Sequence, residues 1–202
     1  MSDNQFSQET VHRFLRSKTL KHFLCAIAVI IGLPIVARAA DNDNPFKNVK
    51  EGDWAKFTMT MEIGDFKLAG EFRKTVTAKS DKEVTIKTNM TLNGAESLPS
   101  EEKIDLTKPY DPTKLLGLKD SEAKIEKVGE EKVKVKVGTK EYDCTLIKMK
   151  IKTNAGGKEY NCDYKLWTSK DAPLGGMVKL EVLGERGAPA NTWLEFKESG
   201  SK

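Results

Sequence analysis

DWAKFTMTMEIGDFKLAGEFRKTVTAKSDKEVTIKTNMTLNG, residues 53–94, decides the fold class. Its first part alternates Ala55, Phe57, Met59, Met61 and Ile63 with polar residues, which is the period of a half-buried strand. Gly64-Asp65 then gives a two-residue hairpin signal. The next run carries Phe66, Leu68, Gly70, Phe72, Val76 and Ala78 in one register, with Lys74 as the exception. Ser80-Asp81-Lys82 turns the chain. Val84, Ile86, Met90 and Leu92 then alternate up to Asn93-Gly94, the strongest short-range hairpin signal. Residues 53–92 therefore predict a three-strand meander, continued by a strand after residue 94.

The same pattern recurs downstream. KIEKV (124–128) and KVKVKV (132–137) read as strands closed by Gly129 and Gly138. KEYDCTLIKMKIKT (140–153), KEYNCDYKLWT (158–168), MVKLEVL (177–183) and NTWLEFKE (191–198) follow. Between the two sets, Asp111, Pro112 and Gly117 mark the start and end of one short helix over 111–117. The expected fold class is all-β: a single strongly curved antiparallel sheet, half-barrel or barrel, with at most that one helix.

Residues 1–39 read as a signal peptide. Arg13, Arg16, Lys18 and Lys21 precede the apolar run 23–36, and Ala37-Arg38-Ala39 forms a cleavage pattern. The run is shorter than the roughly 20 residues that a membrane span needs. Leu24 precedes Cys25, and the apolar run lies after it, so the order of a lipid-modified cysteine is absent. The expectation is export, to the periplasm or cell envelope, after cleavage near Ala39. Membrane contact would come only through an uncleaved signal segment. Residues 40–52 read as a flexible leader, and 53–198 as one β domain. Asp41-Asn42-Asp43-Asn44 resembles the start of a calcium loop but lacks the glycine and glutamate that complete one.

Composition excludes several chemistries. The chain carries 34 basic and 30 acidic residues, a formal +4. Residues 1–39 hold five of the basic and two of the acidic ones, leaving 29 against 28. Lysines interleaved with carboxylates make no concentrated footprint for nucleic acid. The only histidines, His12 and His22, precede the cleavage site. Residues 40–202 therefore cannot build a Ser-His or Cys-His nucleophile or a histidine-based metal site. Glu62, Glu71, Glu181 and Glu195 lie on predicted strands, where a solvated lysine-glutamate face explains them. Ser169-Lys170-Asp171 reads as a wet turn. The expectation is a protein that is not an enzyme, with no cofactor and no metal. The lysine rows 132, 134, 136 and 148, 150, 152 read as a solvated face that protects sheet edges. A contact with anionic lipid or polymer is the alternative.

YKLWTSKDAPLGGMVKLEV, residues 164–182, places a tryptophan before a Pro/Gly turn and a strand that begins Val-Lys. This hairpin resembles a pattern in the periplasmic lipoprotein carriers. It also looks like secreted β-rich proteins with a similar order of Cys, Trp, Pro, Gly-Gly and Lys. The resemblance implies an incomplete barrel with an apolar concave face under a helical lid. The lid helices have no counterpart here beyond the 111–117 candidate. Candidate ligand-binding residues on such a face are Phe57, Met59, Met61, Phe66, Phe72, Met90, Met149 and Trp167, with Met177 a further inward methionine. Methionine suits adaptable apolar surfaces, and the same side chains could equally fill a core. Two functions follow: a carrier or chaperone for an apolar ligand, or a structural domain of an envelope complex with a packed interior. Partners are accordingly an apolar ligand or an envelope protein.

Two local expectations complete the reading. Trp167 should be buried, with truncation to alanine costing about 3–5 kcal/mol. Cys144 and Cys162 should be free, buried thiols. If Asn154-Ala155-Gly156-Gly157 turns a hairpin, Cys144 faces Trp167 and Cys162 faces Met149. That stagger separates the cysteines by roughly 17 Å, against about 7 Å for a disulfide.

Overall fold

The computed structural model describes residues 44–110, 124–155, 158–185 and 190–202. The signal segment, Cys25, Asp41 to Asp43 and the helix expected over 111–117 lie outside them. Ten strands form one antiparallel sheet: β1 (Trp54–Ile63), β2 (Phe66–Lys79), β3 (Glu83–Leu92), β4 (Ala95–Glu96), β5 (Ser100–Asp105), β6 (Lys124–Val137), β7 (Lys140–Ala155), β8 (Lys158–Thr168), β9 (Met177–Gly184) and β10 (Asn191–Gly200). Their spatial order is β4-β3-β2-β1-β10-β9-β8-β7-β6, with β5 also on β3. Along that path every neighbouring pair is sequential except β1 with β10, which joins an N-terminal and a C-terminal meander.

The sheet is curved and not closed. Strands β7 and β10 are separated by β8 and β9, so on a flat sheet their side chains would stand roughly 14 Å apart. Yet the rings of Tyr142 in β7 and Phe196 in β10 meet edge to face at 6.0 Å. Curvature therefore folds the far hairpin over the middle of the sheet, and the core fills the concave side.

Turn chemistry places the N-terminal meander as the sequence implies. Ile63 pairs with Phe66 across Gly64-Asp65, and Leu92 pairs with Ala95 across Asn93-Gly94. Asn93 and Gly94 both have positive φ, at 46° and 80°, which a tight hairpin of this type requires. The strand after residue 94 is interrupted, and β5 resumes the pairing with β3.

Three details differ from expectation. Residues 124–137 form one strand, and Gly129 does not end it: Val128 bulges out of β6 opposite Lys148 and Met149. The segment read as a leader is fixed from residue 44 onward. Phe46 is fully buried in the core, and Asn44 accepts a hydrogen bond from Phe46 N while donating to the carbonyls of Asp105 and Lys108. In the β7–β8 hairpin the last pair is Ala155–Lys158, so Cys162 faces Ile151 and Leu146 faces Trp167. The register moves by two residues because only residues 156 and 157 lie between the strands.

Candidate functional site: the concave apolar face

Alternation puts the odd residues of β1 and the even residues of β2, β3 and β10 on the concave side. The middle of this face is filled. Phe57 is 0% exposed, and its ring packs edge to face on Phe72 at 6.0 Å and Phe196 at 5.8 Å. With Tyr142 on Phe196, four rings run across β2, β1, β10 and β7. Met59, Met61, Met149 and Met177 are buried. These methionines fill the interior, and so does Phe57.

The β2–β3 side is different. Leu68, Phe72 and Met90 are half-buried against the core, and Phe72 and Met90 are Cα partners. Of the candidate residues, these two alone combine a concave position with partial exposure. Phe66 has the expected parity, but lies beyond the packed rim beside the Gly64 turn and is 56% exposed. Trp167 is half-buried, not buried. Leu166 takes the core position beside Ile147 and Leu180, so Trp167 leaves the opposite face, where Lys179 Nζ lies 5.1 Å over its ring.

Lys74 lies on the concave face and is only 4% exposed. The sequence showed it only as a break in the alternation of β2. Its Cα partners are Ala55 and Thr88, and its Nζ stands 5.7 Å from the Phe72 ring. Burial pushes its pKa down to about 8, although the Glu102 carboxylate acts in the other direction.

The loop between β8 and β9 is a turn, and a packed one. Ser169 N donates to Gly176 O at 2.8 Å. Leu174, Gly175 and Gly176 all have positive φ. A Cβ on Gly176 would stand 2.7 Å from Ser169 O. Ser169 is buried, contrary to the expected wet turn, while Lys170 and Asp171 are exposed. Ala172 and Leu174 reach the core. The strand carboxylates are ion-paired outside: Glu71 with Lys56 at 2.7 Å and Lys197 at 3.2 Å, Glu62 with Lys67 at 3.4 Å, Glu181 with Lys179 at 2.9 Å. The Lys56 and Lys197 hydrogen bonds hold the Glu71 carboxyl below its ordinary value. Glu195 is exposed. Among the described residues, no three His, Cys, Asp or Glu side chains converge as a metal set would.

The fold is similar to that of one solved structure. A candidate lipoprotein from Parabacteroides distasonis superposes with a TM-score of 0.52 at 12% identity, over 79% of this chain and 100% of the other. The likeness is one of fold. A candidate exported protein with a YmcC-like fold from Bacteroides fragilis gives 0.48 at 10% identity, over 75% and 97% of the two chains. A DUF1329 family protein from Desulfovibrio piger gives 0.26 at 13%, over 76% and 87%. No family model matches the chain, and no curated protein does.

Proposed function

We propose that this chain is an exported, non-enzymatic protein of the cell envelope that binds an acyl chain or similar apolar ligand on the β2–β3 side of its concave face. The observation that carries this reading is the contrast between the filled centre, with Phe57 buried, and the only half-buried Leu68, Phe72 and Met90 beside it. Exposed apolar surface next to a core is where an apolar partner gains most from leaving water. Export is supported by the signal-like segment 1–39 and by the candidate lipoprotein whose fold is similar. The lipoprotein-carrier resemblance of residues 164–182 supports the same reading.

A second reading, a structural or interaction domain without a ligand, is favoured by the four-ring row that fills the centre. Native mass spectrometry of freshly purified protein separates the two. A co-purifying lipid supports the ligand reading, and a bare polypeptide mass supports the packed domain.

A further inference from the structure

We propose that the tip of the β6–β7 hairpin, residues 133–144, is a lid. It lifts off the concave face as a unit while the rest of the sheet stays folded, and so opens the centre of that face to an acyl chain. The motion is independent of the apolar-ligand reading above; what enters rests on it.

The sequence makes this arm amphipathic. Val133 pairs with Cys144, Val135 with Tyr142 and Val137 with Lys140, so the three valines, Tyr142 and Cys144 share one face. Val137, Tyr142 and Cys144 are buried, and Val133 and Val135 are half-buried against the core. Lys134, Lys136, Glu141 and Asp143 stand exposed on the other face.

The arm is attached to the body by apolar contact. Strand β8 pairs with β7 only from Thr145 onward, and β6 is the outermost strand of the sheet. Lys134 reaches Glu141 at 2.7 Å and Asp143 at 4.0 Å, both inside the arm. The Lys140 ammonium stands 4.6 Å over the ring of Tyr142, again inside it. Among the described residues, no side-chain hydrogen bond or ion pair joins residues 133–144 to another part of the sheet. What holds the arm down is the Tyr142 ring on Phe196 and the burial of its apolar face. Lifting it leaves its own ladder and ion pairs intact. A segment tied to the body in this way opens before the body does.

Beneath the arm lies one end of the aromatic row. Phe196 packs on Phe57 at 5.8 Å, and Phe57 on Phe72 at 6.0 Å. At the far end, Phe72 and its partner Met90 are only half-buried. With the arm down the centre is filled, and Phe57 is 0% exposed. An acyl chain that starts on Phe72 and Met90 therefore reaches Phe57 and Phe196 only by taking the place of Tyr142. Ligand in the centre and a closed arm exclude each other, so the ligand favours the open state.

Cys144, buried in the arm, reports the motion in the unaltered protein. The experiment is iodoacetamide labelling at urea concentrations below the unfolding transition, with the label on Cys144 read by peptide mass spectrometry. Local lifting exposes little surface, so the labelling rate should rise with urea at about a third or less of the slope of global unfolding. A slope equal to the global one means that Cys144 reacts only through complete unfolding, and overturns the lid. Dodecanoate below its micellar concentration then probes the ligand. At saturation, checked by calorimetry, it should speed Cys144 labelling about tenfold. Binding to the closed form would slow the labelling instead; that result, or no change, overturns the lid and leaves the apolar-ligand reading standing. If dodecanoate does not bind, the apolar-ligand reading falls, while a shallow urea slope still establishes the lifting arm.

Discussion

In β1, Ala55, Phe57, Met59 and Met61 are buried in strict alternation, whereas in β7 the buried parity changes, from Tyr142, Cys144 and Leu146 to Ile147, Met149 and Ile151. Strand β1 is paired along its length on both sides, by β2 and β10. Strand β7 has β8 beside it only from Thr145 onward, and residues 140–144 have β6 alone. A two-stranded ribbon twists more strongly than a strand held on both sides, and the bulge at Val128 adds to that twist. The free arm of the hairpin therefore turns over and delivers Tyr142 to Phe196. Alternation read from sequence assigns a face reliably only where neighbours hold the strand on both sides.

The largest expected effect tests the middle of this arrangement. Phe57→Ala should cost about 3–5 kcal/mol in urea denaturation, and Tyr142→Ala, at the tip of the arm, about 2–3 kcal/mol. If Tyr142→Ala costs as much as Phe57→Ala, the arm is as integral as the meander and the contrast fails.

Lys74 gives the next effect, through pH. Its folded pKa of about 8 lies below the ordinary 10.5. Below about pH 8 both folded and unfolded states carry the charge, and the full penalty of burial is present. Between about 8 and 10.5 the folded protein has released the proton while the unfolded chain still holds it, so stability rises with pH. The gain should approach about 3 kcal/mol, read as the difference between wild type and Lys74→Met in denaturation at successive pH values. Parallel curves for the two proteins would show that Lys74 is not enclosed.

Trp167→Ala should cost about 1–2 kcal/mol, less than the 3–5 kcal/mol of a core aromatic, because Leu166 holds the interior position. A loss equal to that of Phe57→Ala would put Trp167 back inside. The smallest effect is chemical. Cys144 and Cys162 are free thiols, one buried and one half-buried. With Cys162 facing Ile151, seven residues of stagger, about 24 Å, separate them. Burial pushes both thiols up. Alkylation under denaturing, non-reducing conditions should add two labels to these cysteines, and under native conditions Cys162 should react first. No uptake in denaturant would mean a disulfide and a different strand pairing.

Much of the candidate site was legible as pattern, but its division was not. Phe57, Met59, Met61, Phe72 and Met90 were placed on one face by period-two alternation, and they share it. Which of them fill the core and which line its margin depends on what lies opposite. Phe57 is closed off by Phe196, 139 residues away in sequence. Phe72 and Met90, paired on β2 and β3, are only half-buried against the core. Trp167 was misplaced because adjacent apolar residues, Leu166 and Trp167, leave the face of a strand undecided.

The sequence by itself determined the strand content, the hairpin tips at Gly64-Asp65 and Asn93-Gly94, and the inner face of the N-terminal meander. These rest on local chemistry: turn residues that adopt positive φ, and a side-chain period of two. Only the tertiary structure decided that β1 pairs with β10, that Phe46 enters the core, that the β7–β8 register turns about residues 156 and 157, and that Lys74 is enclosed. Each depends on contact with segments distant in the chain or on the length of a turn. Alternation tells a strand which side chains share a face, but burial is set by what the rest of the chain brings against it.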